Sequence, residues 1–379
     1  MDINLIFAII FFLLLAIFLY ANRKKISISG LFPLIYVFMI RSKFGLKAMD
    51  KIAKKNRKLL KTIGMIGVVI GFIGMAFVSF EILYNTIKLL FNPATAVGAQ
   101  LVLPISAKGI FYVPFMYWIL AIFIVAFFHE FSHGLFGRAY KIPLVSTGIA
   151  IVGVIIPLIP AAFVEPNEKK FKKFSKKAKL TMLAAGPFAN IIMGILIVLL
   201  LIPITPFVTN FYTPDGVEIT QLAKEGPAKM IGMAPNTIIT EIDSNPVKTL
   251  KEFKEIINQK KPGDIIKIRT NEGTFDVPLA EKNNRAYVGI NIKQHSIIKK
   301  GRSILLAKTV SWIYELMIWV YLLSLGIGLF NLLPVGPLDG GRMLNELLGK
   351  QGKQRIAFKV ISLFFFALIL INIFSGFFK

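Results

Sequence analysis

The sequence predicts a polytopic α-helical membrane protein. It has about six transmembrane helices, a re-entrant β-hairpin or loop, and a small extracytoplasmic α+β domain inserted between spans. Three observations predict this. Hydrophobic types make up 55% of the 379 residues and charged types 17%, against about 45–50% and about 25% in soluble domains. Six apolar runs approach the roughly 20 residues that a bilayer-spanning helix needs. The charge is also unbalanced, 45 Lys and Arg against 20 Asp and Glu, and the excess collects between particular runs. Disorder is excluded because it requires low hydrophobicity. The absence of cysteine excludes disulfides and thiol chemistry.

Residues 3–20 form the first run and carry no charge. Arg23, Lys24 and Lys25 follow it rather than precede it, and no small-residue cleavage site comes after, so it does not read as a cleavable signal peptide. The second run is 63–80. The third is 110–128 and continues helically to 137. The fourth is 180–204. The fifth is 316–338, starting near 305, and the sixth is 361–378. Two apolar stretches do not fit. Residues 30–40 are too few to span and read as interfacial or re-entrant. Residues 144–164 are long enough, but Gly148, Gly153, Pro157 and Pro160 disfavour helix there and the many Val and Ile favour strand. Backbone that is neither helix nor closed barrel is tolerated at membrane depth only inside protein or beside a watery cavity. This predicts the re-entrant hairpin.

Charge orients the spans. Residues 21–62 carry twelve Lys/Arg and one acid, 138–179 nine and two, and 342–359 five and one. With six spans all three segments lie on one side, which the positive-inside rule makes the cytoplasm. The N-terminus, the loop 91–109, the segment 205–301 and the C-terminus then face outward. The basic runs read as topology signals and lipid-headgroup contacts, so the bilayer is the expected partner and nucleic acid is not.

Residues 209–300 change character, becoming polar and mixed in charge. The pattern predicts strand 216–221, a helical turn 226–233, strand 237–242, a turn at Ser244-Asn245-Pro246, helix 250–259, and strands 264–270 and 274–279. Gly226-Pro227-Ala228, Gly232-Met233, Asn245-Pro246-Val247 and Lys261-Pro262-Gly263-Asp264 together resemble a PDZ domain in its circularly permuted form. Asn236-Thr237 stands where that family carries Gly-Asp, and Asn tolerates the left-handed turn that glycine favours. The resemblance implies strand-addition binding of extended peptides, with a carboxylate loop near Asp215-Gly216-Val217, where the acid would repel a peptide carboxylate. A purely structural module is the other reading.

The chemistry lies in His129-Glu130-Phe131-Ser132-His133. On a helix, positions i and i+4 share a face, so both imidazoles can meet one ion. Zinc accepts such nitrogens, and Glu130 is positioned to take a proton from water that zinc acidifies. A solvated helix end is the bland alternative. A catalytic zinc usually has three protein ligands. Phe136 and Ala139 stand where a soluble HExxHxxGxxH enzyme has Gly and His. Glu165 and Glu168 are candidates, but they sit among lysines. Asp339 is the better one, since it ends the uncharged run 316–338 at the same cytoplasmic end as the histidine pair.

HExxH together with Asn331-Leu332-Leu333-Pro334-Val335-Gly336-Pro337-Leu338-Asp339-Gly340 resembles the signature pair of the site-2 protease family of intramembrane zinc metalloproteases. Gly186-Pro187-Phe188-Ala189-Asn190 resembles its third motif. The resemblance implies one zinc per chain held by His129, His133 and Asp339, and Glu130 as general base. It implies Asn331 as a donor to the oxyanion or the substrate backbone. Asn190 reads equally as substrate-facing or as interhelical glue. The implied activity is cleavage of transmembrane segments of membrane-anchored regulatory proteins, by a cell-membrane protein with its site near the cytoplasmic face. The chain then divides into amino-terminal spans with a basic segment (1–109), a membrane core segment with the HExxH helix (110–204), the PDZ-like insert (205–301), a second core segment ending in the aspartate motif (302–345) and a last span (346–379). Two other classes remain, a silent membrane scaffold using the insert and a transporter using the histidine pair. The residues select neither a cleavage sequence nor an oligomeric state.

Overall fold

A computed structural model describes residues 3–31, 35–92, 100–105, 107–154, 156–349 and 351–378. The chain forms two compact units, Ile202–Tyr314 and the remainder, Met1–Leu201 with Glu315–Lys379.

In the larger unit, helix α1 (Ile3–Ala21) is followed by strands β1 (Ile26–Leu31) and β2 (Ile35–Ser42), then helices α2 (Leu46–Lys55) and α3 (Arg57–Phe91). Strands β3 (Leu101–Leu103) and β4 (Ile110–Tyr112) pair in parallel ahead of α4 (Phe115–Ala139). The third apolar run is therefore not helical from Ile110. Pro114 is extended, with ψ 138°, and the helix begins after it, because the residue before a proline avoids α geometry and proline itself suits a helix start.

The segment 144–164 is a β-hairpin, β5 (Leu144–Val154) with β6 (Ile156–Pro166). The reading of 30–40 as merely interfacial or re-entrant missed its partner. Strand β2 pairs along its length with β5, from Ile35 opposite Val154 to Ser42 opposite Thr147, and the sheet runs β1-β2-β5-β6. Residues 32–34 lie outside the described residues. Strand β6 is an edge of that sheet and packs against α4.

Helix α5 (Glu168–Phe171) leads into α6 (Lys176–Thr209). After the last strand of the smaller unit come α9 (Ile304–Asn331), α10 (Asp339–Leu348) and α11 (Gly352–Phe378). The fifth run breaks at Asn331 rather than continuing to 338. Pro334 removes an N–H and pushes Leu333 out of α geometry, so 332–338 is a tight loop. Six described helices (α1, α3, α4, α6, α9 and α11) are long and apolar enough to cross a membrane. The side chains that centre the core are Leu46 and Met49 of α2, Met182 to Ala184 of α6, Leu332 and Met343.

The smaller unit holds β7 (Tyr212–Leu222), α7 (Pro227–Met230), β8 (Ile238–Ile242), β9 (Asn245–Pro246), α8 (Leu250–Asn258), β10 (Ile265–Thr270), β11 (Thr274–Pro278), β12 (Ala280–Lys282), β13 (Arg285–Tyr287) and β14 (Ile290–Ile298). Its main sheet runs β11-β10-β8-β7-β14. Strand β10 alternates exposed and buried residues, and Ile266 and Ile268 point inward at 0% exposure, the period of two that one buried face demands. Helix α8 starts at a capping box in which the Glu252 amide donates to Thr249 Oγ1 and Glu252 Oε2 accepts from the Thr249 amide. Asn236 takes the left-handed conformation expected of it, with φ 69°. Strand β7 is interior, flanked by β8 and β14, so its Asp215-Gly216-Val217 stretch is not a free edge for peptide addition. Strands β11 and β14 are the edges.

Candidate metal centre

Helix α4 carries the histidine pair on one face, and both rings are buried at 6% and 7% exposure. His129 Nε2 and His133 Nε2 lie 3.1 Å apart, and each lies 3.1 Å from Asp339 Oδ2. The carboxylate arrives from a helix more than 200 residues further along the chain. Asp339 is the first residue of α10, where the helix dipole favours a negative charge. Gly340 and Gly341 let that turn close. A Cβ on Gly340 would stand 2.1 Å from the Leu332 carbonyl oxygen, and one on Gly341 2.0 Å from that of Val335. Asp339, Met343 and Glu346 share one face of α10 at i, i+4 and i+7. Met343 is fully buried in the core, and Glu346 Oε2 accepts from Lys179 Nζ of α6 at 2.8 Å. Core packing and a buried ion pair thus turn the carboxylate towards the rings.

The donor set fits zinc. His133 Nδ1 lies 2.7 Å from the Met182 carbonyl oxygen. A carbonyl only accepts, so Nδ1 carries the proton, and the neutral form of the ring would offer its Nε2 lone pair to an ion at the cluster. Two imidazole nitrogens and a carboxylate oxygen meeting at 3.1 Å suit a cation shared between them. A tetrahedral ion bound at about 2.0–2.1 Å needs its donors about 3.3 Å apart, close to this spacing. Helix α6 leaves the space open at Gly186, where a Cβ would stand 2.4 Å from His133 Nε2 and 2.5 Å from His129 Nε2. Among the described residues this is the group of His, Cys, Asp and Glu side chains able to hold a metal ion.

Glu130 lies beside the cluster, and its Oε2 accepts from the backbone N–H of Val164 at 2.9 Å. That N–H belongs to the edge strand β6 and points away from β5, towards α4. A cavity of ≈ 290 Å³ adjoins it, lined among others by Phe127, Glu130, Phe131, Thr147, Ala162 and Val164. The cavity is apolar apart from Glu130 and a few hydroxyls.

The other sequence candidates stand elsewhere. Asn331 Nδ2 donates to the Ile327 carbonyl of its own helix at 3.0 Å. Glu165 accepts from Ser146 Oγ at 2.6 Å and from Arg41 Nε at 2.9 Å. Those hydrogen bonds hold its carboxyl below the usual range, and they link β2, β5 and β6 at the mouth of the sheet. Glu168 begins the short helix α5. Asn190, which sequence reasoning left undecided, lies fully buried with Nδ2 3.0 Å from His129 Nδ1. The Glu130–Val164 contact, between residues 34 apart, and the role of β2 had no sequence signal, the second because it depends on strand pairing across more than a hundred residues.

Comparison with known proteins gives the following. Peptidase family M50 matches residues 117–373. An uncharacterized protein of Methanocaldococcus jannaschii is 30% identical over 91% of this chain and 86% of its own. The protein named Probable protease eep of Enterococcus faecalis is 22% identical over 50% of this chain and 55% of its own. Zinc metalloprotease RasP of Oceanobacillus iheyensis is 23% identical over 48% and 53%, so the match spans about half the length of these two proteases. Among solved structures, the PDZ domain of an SdrC-like protein from Listeria monocytogenes is 32% identical over 21% of this chain and 87% of that one, with a TM-score of 0.20.

Proposed function

The chain belongs to peptidase family M50, and on that premise we propose that it is a zinc-dependent intramembrane endopeptidase that cleaves transmembrane segments of membrane-anchored proteins. The observation that carries the reading is the buried triangle of His129 Nε2, His133 Nε2 and Asp339 Oδ2 at 3.1 Å, with Glu130 beside it. His129, His133 and Asp339 would hold the zinc. When bound there, zinc supplies Lewis acidity, polarising a scissile carbonyl and acidifying water.

The chain's own residues do the rest. Glu130 takes the proton from the attacking water and delivers it to the leaving amine nitrogen. An intact substrate helix hides its carbonyls in internal hydrogen bonds, so the segment must unwind before attack. The outer edge of β6 offers the alternative partner. In an antiparallel strand both backbone groups of every second residue point to the same side, so Ala162 shares the outward direction of Val164. The adjoining apolar cavity suits a hydrophobic side chain of the unwound segment. The hairpin β5–β6, re-entrant in this reading, thereby serves as a docking strand beside the general base.

Depth agrees with a site reached from the cytoplasm. His129 is fourteen residues into α4, about 21 Å at about 1.5 Å per residue, in a hydrocarbon core about 30 Å thick. With Phe115, the start of α4, taken at the outer edge, that depth falls in the inner-leaflet half. The basic segments 21–62, 138–179 and 342–359 favour the cytoplasmic assignment of that end. The insert, PDZ-like by its motifs and by an edge strand packed near a helix, would then be extracytoplasmic and would screen substrates or hold a freshly cut end.

The test compares purified wild type with Glu130→Gln for zinc content and for cleavage of a model membrane-anchored substrate. The expected result is one zinc per chain in both and cleavage in wild type alone, with a loss of at least about 10²–10⁴-fold in the variant. Metal without cleavage in wild type would favour a transporter, and neither would favour a scaffold.

A further inference from the structure

Helix α6 meets both metal-binding rings from behind. Met182, Gly186 and Asn190 are spaced at i, i+4 and i+8 and share one face. Gly186 clears the space at the two Nε2 atoms, and Met182 and Asn190 reach the two Nδ1 atoms. The Met182 carbonyl fixes the tautomer of His133, because it can only accept. His129 has the same requirement. For its Nε2 lone pair to face the cluster, Nδ1 must carry the proton and find an acceptor.

The group 3.0 Å from His129 Nδ1 is the Asn190 amide. Its nitrogen and oxygen exchange positions by a half-turn about the last side-chain bond, and the hydrogen-bond network decides which faces the ring. With Nδ2 towards the ring, Nδ1 must accept, and the His129 proton moves to Nε2, into the cluster and against Asp339. Asn190 Oδ1 then has no hydrogen-bond partner among the described residues, so the half-turn exchanges only the Nδ2 contact with the ring for an Oδ1 one. The backbone is fixed independently. Ser324 Oγ donates to the Asn190 carbonyl at 2.7 Å, and Gly328 of the same helix lies against its Cβ.

We propose that Asn190 is a positioning residue whose Oδ1 accepts from His129 Nδ1–H, so that α6 sets the tautomers of both zinc-binding histidines. This deepens the zinc peptidase reading and rests on it. It makes Asn190 an acceptor, which is neither a substrate contact nor interhelical glue. An aspartate keeps an oxygen at that point and an isosteric leucine does not.

The test measures zinc affinity by chelator competition on full-length wild type, Asn190→Leu and Asn190→Asp. It also records ¹⁵N-histidine spectra of the zinc-loaded wild type, which has only three histidines to assign. The expected outcome is a loss of about 10–100-fold in affinity for Asn190→Leu, with Asn190→Asp within about threefold of wild type. His129 Nδ1 should be protonated. An Asn190→Leu protein with wild-type affinity, an Asn190→Asp protein as weak as Asn190→Leu, or an unprotonated His129 Nδ1 would each overturn the assignment while leaving the zinc site standing. If Asn190→Leu fails to fold, the comparison of Asn190→Asp with wild type decides, and a loss above about tenfold overturns it. Wild type without zinc affinity overturns the peptidase reading and this inference together.

Discussion

At the scale of single residues, the centre depends on an absent side chain as much as on the present ones. Gly186 sits where any Cβ would contact both Nε2 atoms. Gly186→Ala is expected to lower zinc stoichiometry well below one per chain while the protein still extracts and folds, as metal analysis beside thermal unfolding would reveal. Far from the centre, Asp243 gives a pH prediction. Burial alone would raise its pKa, but Lys260 Nζ at 2.7 Å and the Lys267 amide at 2.8 Å bring it below the usual range. A carboxylate depressed in the folded state contributes stability that is fully present above its unfolded pKa, about 3.9, and is lost as pH falls through the folded value. The protection of the β8 and β10 amides against hydrogen exchange in the full chain, taken relative to the intrinsic rate at each pH, should therefore fall below about pH 4. Asp243→Asn should flatten that dependence. The candidate ligands were legible at this scale, because HExxH encodes its own geometry through helix periodicity. The environment of Asn190 and the self-capping of Asn331 were not. An asparagine in an apolar helix looks the same from sequence whether it faces a ring or its own backbone.

At the scale of elements, two features bear on the proposed site. The first is the orientation of α10. Its Glu346 pairs with Lys179 in near-complete burial, at 8% and 10% side-chain exposure. Taking away one member of a buried pair costs about 3–5 kcal/mol, whereas replacing both with apolar residues is often neutral. Lys179→Met should thus lower the unfolding temperature, and the double variant Lys179→Met with Glu346→Leu should recover most of it. Recovery of zinc affinity in the double variant would show that the pair orients α10 only through packing. The second feature is the edge strand. Proline at Val152 or Val154 falls on β5, an interior strand, and would damage the sheet as a whole. The discriminating position is Ala162, whose N–H faces away from β5. Ala162→Pro is expected to reduce cleavage at least tenfold with zinc content intact, the loss of one docking hydrogen bond and its neighbours accounting for about 1–3 kcal/mol. Unchanged turnover would remove β6 from the account. Local patterns foretold most elements well, including the order strand, turn, strand, helix, strand, strand of the insert. They erred where proline moved a helix end, at Pro114 and Pro334, and where β2 found its partner across the chain.

At the scale of the whole molecule, orientation is the claim most open to direct measurement. The chain has no cysteine, so single introduced thiols report cleanly. Lys58→Cys and Lys251→Cys are both exposed positions. A membrane-impermeant maleimide added to intact cells should label Lys251→Cys and spare Lys58→Cys until the membrane is opened. The reverse pattern would invert the charge argument. Hydropathy and basic clusters made the span count legible because lipid constrains sequence so strongly.

The proposed ligands His133 and Asp339 lie 206 positions apart, and the intervening chain includes the separate unit Ile202–Tyr314. An ion shared by those ligands is a clasp on a very long loop, and such clasps restrict the unfolded chain most. The polypeptide can therefore be severed in the insert without severing the centre. Two fragments produced together, one ending and the other beginning inside that unit, should reassemble around a single metal ion, and a chelator should help to part them.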